Sequence, residues 1–402
     1  MERGGLVRPT PQKIRPIRVF SSKWYTQTGR DVLYSMQFRR SNRSCTAPAG
    51  RLEQKEIKHM QKHDPVFSSS ELSGQGARLL ARNDGCAVWQ FRNESGDGTM
   101  TVYDVFPGVM LSFNDFHMAH YESSYVPGRR LFAVDHCREG RMEYAAGANA
   151  VAYTGAGDMK LDLRRQHTGV FRFPSSHYHG LTAAFDLDIA CAALPDAVRE
   201  FPVSPEHIIA RWQLGDYPRV LHGMDAMEHI FGELYRVPEQ IRIPYFKVKI
   251  LEMLLYLDTI GIPDEDGERP YFYRSQVEKV KAIHDFLLEN LSEHFTQEAL
   301  SRRFGLPLTA MKACFRSAYG VSIGAWLTDC RMNRAAELLL REPGTDIAEI
   351  GGRVGYDSAS KFAAAFKRAM KLTPSEYRSE RGIRLEACKE KLAARALRLC
   401  GG

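Results

Sequence analysis

The chain has 402 residues, 44% hydrophobic and 26% charged, long enough for two or three domains with their own cores. Its net charge of +7 belongs to one end: residues 1–55 hold 12 basic against 3 acidic side chains, and all later residues sum to −2. No run of about 18 apolar residues offers a membrane span, no apolar core follows the basic start as a secretory signal would need, and none of the eight cysteines forms a Cys-x-x-Cys pair. A disulfide framework and a structural zinc site are thereby disfavoured, and reduced thiols in a cytoplasm are expected.

Residues 1–75 are rich in Arg, Ser, Pro and Gln and read as a disordered basic extension, with Met60 as an alternative start. Residues 76–200 change character. "CAVWQF", "MTVYDVF", "VMLSFNDFHM", "RLFAVDHC", "AVAYTG" and "TGVFRF" are short, β-branched or aromatic, and separated by turn residues at hairpin spacing. Strands without intervening helices predict a barrel or sandwich. Over 201–262 the period becomes helical: Ile243, Phe246, Ile250, Met253, Leu254 and Leu257 make one stripe, read as core ahead of an intermolecular seam. A polar Pro/Gly linker follows at 263–275, then helices over 276–382 and a helical tail at 383–402.

The helical end contains a repeat. Leu300, Phe304 and Gly305 match Ile350, Val354 and Gly355 at an offset of 50, while Phe315, Arg316, Ser322 and Trp326 match Phe366, Lys367, Thr373 and Tyr377 at 51. One supersecondary unit is used twice. Within the second copy, Ile347, Ile350, Gly351 and Val354 line one face of a short helix. Gly355 stands where a left-handed residue ends a helix cheaply, and Asp357 or Ser358 can cap the next one. Phe362 and Phe366 form the buried face of that next helix. A helix, a glycine turn and a second helix with a small, basic face predict a helix-turn-helix. A phosphate-binding loop is excluded because no Lys-Ser/Thr follows the glycine and no strand precedes it.

At this point the sequence resembles the C-terminal domain of AraC/XylS-type bacterial transcription regulators. The motif that carries the resemblance is Ile347-Ala348, Ile350, Val354-Gly355-Tyr356, Phe362, Phe366-Lys367-Arg368, Thr373-Pro374 and Tyr377-Arg378. The first copy agrees through Ala299, Gly305-Leu306, Met311, Phe315-Arg316, Gly320 and Ser322. The resemblance implies an α+β chain: a strand-rich, cupin-like N-terminal sensor domain, a helical dimerisation segment, and an all-α C-terminal domain with two helix-turn-helix units. Two recognition helices then enter successive major grooves about 34 Å apart. The segment 324–341 is the expected spacer, roughly 27 Å long at about 1.5 Å per residue.

On the exposed faces Thr309, Lys312 and Arg316, and Ser358, Ser360, Lys361, Lys367 and Arg368, are the expected DNA contacts, to base edges or phosphates. Alanine at 313, where such domains commonly carry a larger polar residue, weakens base contact there. In the sensor half the expected effector pocket uses His117, Tyr121, Phe173, His177 and His179. Tyr125, Tyr178 and Arg164-Arg165 also suit an amphipathic or anionic ligand. His177 and His179 share one face of a strand, but the next carboxylate after them is Asp186, so surface or pocket-lining histidines are expected and no metal or cofactor.

The function expected is a regulator, an activator ahead of a repressor, without catalytic residues. It binds double-stranded promoter or operator DNA, a small-molecule effector and RNA polymerase, acts as a homodimer in the cytoplasm and uses no membrane. The rival is a metal-dependent cupin enzyme fused to a DNA-binding module.

Overall fold

A computed structural model describes residues 77–83, 85–165, 167–193, 203–215, 218–223, 225–261 and 271–381. The expected basic extension, most of the 263–275 linker and the 383–402 tail lie outside them. Two compact units divide the described chain, 77–327 and 328–381.

The larger unit begins with ten strands: β1 (Arg78–Asn83), β2 (Cys86–Asn93), β3 (Gly96–Phe106), β4 (Val109–His117), β5 (His120–Tyr125), β6 (Leu131–Ala145), β7 (Ala150–Gly155), β8 (Met159–Leu163), β9 (His167–Arg172) and β10 (Tyr178–Asp186). Every pairing is antiparallel, and the main order is β1-β2-β3-β4-β10-β6-β7. β6 is the hub: along its 15 residues it pairs with β10, β8, β7 and β9. The strand-rich N-terminal half expected from the turn spacing is thus a half-barrel. Successive side chains point to opposite faces, so the sheet has two cores. Trp89, Phe91, Met110, Tyr125, Met142, Phe173 and Tyr178 cluster on the inside.

The other face is covered by helices. Helix α1 (Leu187–Ala193) follows β10, then come α2 (Pro205–Arg211), the short strand β11 (Arg219–Leu221) beside β8, α3 (Asp225–Leu234) and α4 (Arg242–Thr259). Ser204 caps α2 by accepting from His207 N, and Pro205 takes the first turn, where its missing N–H is not needed. The stripe on α4 buries Phe246, Ile250, Met253, Leu254 and Leu257 in the same cluster as Phe132, Phe185, Trp212 and Phe231, so it is core. Trp212 is fully enclosed and its indole N–H donates to Leu257 O at 2.9 Å.

Past the linker, β12 (Phe272–Tyr273) adds to β7, and α5 (Arg274–Glu289) leads into α6 (Gln297–Phe304), α7 (Leu308–Tyr319) and α8 (Ile323–Arg341). α5 buries Val277, Val280, Ile283 and Leu287, and its His284 ring stacks on Tyr319 at 4.5 Å. The boundary between the units falls within α8. In the smaller unit, α9 (Ile347–Arg353) and α10 (Ala359–Met370) close a core of Met332, Ala335, Leu339, Ile350, Val354, Phe362, Phe366 and Tyr377. Among the described residues no helix is long and apolar enough to cross a membrane.

Candidate functional site

Each C-terminal helix pair is built the same way. Thr296 caps α6 by accepting from Ala299 N, and the helix ends at Gly305 with φ 57°. A side chain at Gly305 would meet only Lys279 Nζ, at 3.7 Å. The glycine therefore serves the left-handed turn and not a lack of space. Asp346 caps α9, Gly355 turns at φ 85°, and Ser358 caps α10 by accepting from Lys361 N. Gly351 does a different job: a Cβ there would sit 3.0 Å from the Phe362 ring, whereas at Gly352 it would meet nothing within 4 Å. Only the first of these two glycines is needed for close helix packing.

The second helix of each pair has one buried and one cationic face. α7 turns Met311, Cys314, Phe315 and Ala318 inward, leaving Thr309, Lys312 and Arg316 exposed at i, i+3 and i+7. α10 buries Phe362 and Phe366 and exposes Ser360, Lys361, Ala364, Lys367 and Arg368. Ser358 is half-buried with its oxygen engaged in the cap. Lys367 and Arg368 occupy the last turn, where the helix dipole favours cations.

The half-barrel encloses a cavity of about 110 Å³. Its apolar wall includes Phe91, Met110, Phe116, Phe173 and Met142, with Tyr121, Tyr125 and Tyr178 among them. Its polar end is a buried charge cluster: Asp135 Oδ2 accepts from Arg164 at 2.6 Å and lies 3.0 Å from Lys160 Nζ, while Thr182 donates to Oδ1 at 2.6 Å. Burial alone would raise the Asp135 carboxyl, but Arg164 and Lys160 outweigh it and hold it far below the usual range. Burial disfavours the charges of Lys160 and Arg164, but Asp135 and then Asp162 raise both pKa values. All three stay ionised, a polar floor beneath aromatic walls. Burial also pushes the Tyr121 phenol up to about 12.

A family model described as a helix-turn-helix domain matches residues 300–380. The virulence regulon transcriptional activator VirF of Yersinia enterocolitica is 32% identical over 96 residues, 24% of this chain and 35% of that activator. The transcriptional regulator ExsA of Pseudomonas aeruginosa is 33% identical over 99 residues, 25% of this chain and 35% of ExsA. The transcriptional activator RhaR of Yersinia pestis biovar Antiqua, strain Angola, is 26% identical over 184 residues, 44% of this chain and 59% of RhaR. The chain thus spans about a third of the length of the first of these relatives. Residues 300–380 are an AraC-type helix-turn-helix domain.

The start of this AraC-type domain is anchored to the half-barrel by residues that no motif marked. Arg141 of β6 donates to Ser317 O of α7 at 2.9 Å, beside Gly320, where a Cβ would lie 2.9 Å from its Nε. Burial lowers the Arg141 pKa, and the neighbouring Arg316 charge lowers it further. Glu143, two residues along and on the same side of β6, pairs with Lys281 of α5 at 2.8 Å and accepts from the Tyr153 hydroxyl at 2.9 Å. Met142, between them, points the other way into the cavity. Buried beside this seam is Cys314, whose thiol is pushed up to about 12 by burial and then by the Glu143 charge.

Of the expected pocket residues, Tyr121 and Phe173 line the cavity, together with Tyr125, Tyr178 and Arg164. His117, His177 and His179 lie on the opposite face of the sheet, where His179 packs against Tyr235 at 5.1 Å. Asp135 and Lys160 escaped the sequence reading; the available signal was an acid inside the apolar run "LFAVDHC" and two charges alternating with apolar residues in "MKLDL".

Proposed function

We propose that the protein is a sequence-specific DNA-binding transcription regulator whose half-barrel senses a small molecule. The observation that carries the reading is the pairing of an AraC-type domain with two exposed cationic helix faces, Thr309, Lys312 and Arg316 on α7 and Ser360, Lys361, Lys367 and Arg368 on α10. In this reading α6–α7 and α9–α10 are two helix-turn-helix units, and the long side chains reach guanine edges or phosphates of double-stranded DNA. The short Ala363 and Ala364 make α10 the helix of close approach and phosphate contact. Activation, with RNA polymerase as partner, is favoured because two of the relatives above are named activators.

The cupin-like half-barrel is the sensor in this proposal, and the cavity is its effector site. Aromatic walls over a Lys160–Asp135–Arg164 floor suit a ligand with an apolar body and a polar, hydrogen-bonding end. β6 supplies the route of response: Met142 touches the cavity while Arg141 and Glu143 hold α7 and α5. A ligand that moves this strand changes what Arg141 and Glu143 can hold. Homodimerisation is supported by Ile241, Val248 and Leu255, three exposed apolar side chains seven residues apart along α4 and its entry turn. A regulator of this kind works in the cytoplasm and needs no catalytic set.

The test is selection of bound fragments from genomic DNA by the full chain, followed by titration of the best fragment at several salt concentrations. Replacing Lys312, Arg316 and Lys361 together with Ala should weaken binding and reduce the salt slope by about 3. An unchanged slope overturns the assignment of those contacts.

A further inference from the structure

The outer face of the half-barrel holds a side-chain cluster unrelated to the cavity. β4 and β10 pair with Phe116 opposite Tyr178 and Asp115 opposite His179. Alternation sends Asn114, Phe116 and Tyr178 to the cavity and therefore places Asp115, His117 and His179 on the other side. His177, just before β10, joins them through its contact with the His117 ring. There Asp115 Oδ1 lies 3.1 Å from His117 Nε2, and the His117 and His177 rings are 4.9 Å apart. One ligand atom each from Asp115, His117 and His177 can be chosen so that all three lie within 4.8 Å of one another.

We propose that Asp115, His117 and His177 form a divalent transition-metal site. Protein ligands about 2.0–2.2 Å from one tetrahedral ion stand roughly 3.4 Å apart, so Asp115 and His117 are already at ligand separation. Modest rotation of the imidazoles brings in the third. Two imidazoles and one carboxylate suit Zn²⁺, Co²⁺ or Ni²⁺ rather than Mg²⁺ or Ca²⁺, which demand oxygen ligands. His117 and Asp115 keep about half of their side-chain surface open, at 53% and 48%, so the ion completes its sphere with water.

A supporting partner is also present. Glu139 of β6 is the register partner of His179, and its Oε2 lies 3.8 Å from His177 Nε2. A carboxylate beside a ligating histidine orients the ring and raises its basicity. The neighbouring Arg138 lies 3.8 Å from Glu139 and sits over the Tyr235 ring at 4.3 Å, so its charge is already engaged. The ligand carboxylate absent downstream of "HYHG" is supplied by Asp115 of the neighbouring strand β4, 62 residues before His177. Because Phe116 and Tyr178 are chain neighbours of the ligands and line the cavity, an ion here fixes one cavity wall from behind. This inference does not depend on the regulator reading.

The full chain, stripped with a chelator and exchanged into metal-free buffer, is titrated with Co²⁺ while visible d–d absorption and binding heat are followed. One site per chain is expected, with intense bands of a low-coordinate N/O environment. His117→Ala and His177→Ala should each weaken Co²⁺ at least 10-fold, Asp115→Asn comparably, and Glu139→Gln by on the order of 10-fold. His120→Ala, on β5, should change nothing. Circular dichroism of each stripped variant checks that it remains folded; for one that does not, the conservative His→Gln replacement carries the same expectation. Absence of saturable Co²⁺ binding by the folded native chain overturns the site, as does binding that survives both histidine replacements.

Discussion

The two helix pairs of the AraC-type domain share one plan but live in different surroundings. α6–α7 belongs to the larger unit, where Arg141 takes the Ser317 carbonyl and Glu143 takes Lys281. α9–α10 belongs to the smaller unit, closed by its own core of Phe362, Phe366, Ile350 and Tyr377. Matching repeats at an offset of about 50 residues have therefore become unequal: one copy is wired to a strand that touches a cavity, and the other stands on its own packing. In the proposed function the first pair carries regulation as well as contact, while the second contributes contact alone.

The largest effects should break that comparison from each side. Phe362→Ala empties a fully buried site beneath Gly351 and should cost about 3–5 kcal/mol in the smaller unit. Hydrogen exchange should show lost protection in α9 and α10 while the half-barrel strands keep theirs. Asp135→Asn does the converse, leaving buried Lys160 and Arg164 with only the longer contacts to Asp162, at 3.7 and 3.4 Å, and should cost up to about 3–5 kcal/mol in the larger unit.

The same residue carries a pH signature. Its folded pKa lies far below the ordinary 3.8, so its contribution is fully present above the unfolded value. That contribution is lost as pH falls from about 4 toward the folded pKa. Acid titration of thermal stability should therefore be shallower in the Asn variant below pH 4. A smaller effect sharpens the comparison. Arg141→Ala removes one charged hydrogen bond and should cost about 1–2 kcal/mol. It should alter the ligand dependence of DNA binding far more than DNA affinity without ligand. Equal changes with and without ligand would separate β6 from regulation.

The parts of the molecule that follow a local period are legible in the sequence. Met311, Phe315, Phe362 and Phe366 mark buried faces at helical spacing, and Gly305 and Gly355 mark turns whose positive φ is observed. β10 was harder to see as a strand because Tyr178–Asp186 is buried on almost every residue and shows no alternation. β1 fails for the opposite reason, being exposed throughout. The cavity was legible in its aromatic half, since Tyr121, Tyr125, Phe173 and Tyr178 are conspicuous residue types. Of its charged floor only Arg164 was, because Asp135, Lys160 and Thr182 meet only through the pairing of β6 with β8 and β10. The turn-out of His117, His177 and His179 likewise depends on register, which spacing alone does not set.

Cys314 gives the seam between β6 and α7 its own clock. The thiolate is the form that reacts with disulfide reagents, and burial next to Glu143 suppresses it while α7 stays seated. The labelling rate of this one thiol therefore counts how often the seam opens. No probe has to be introduced to time the movement, because the chain already carries the stopwatch at the joint whose motion matters.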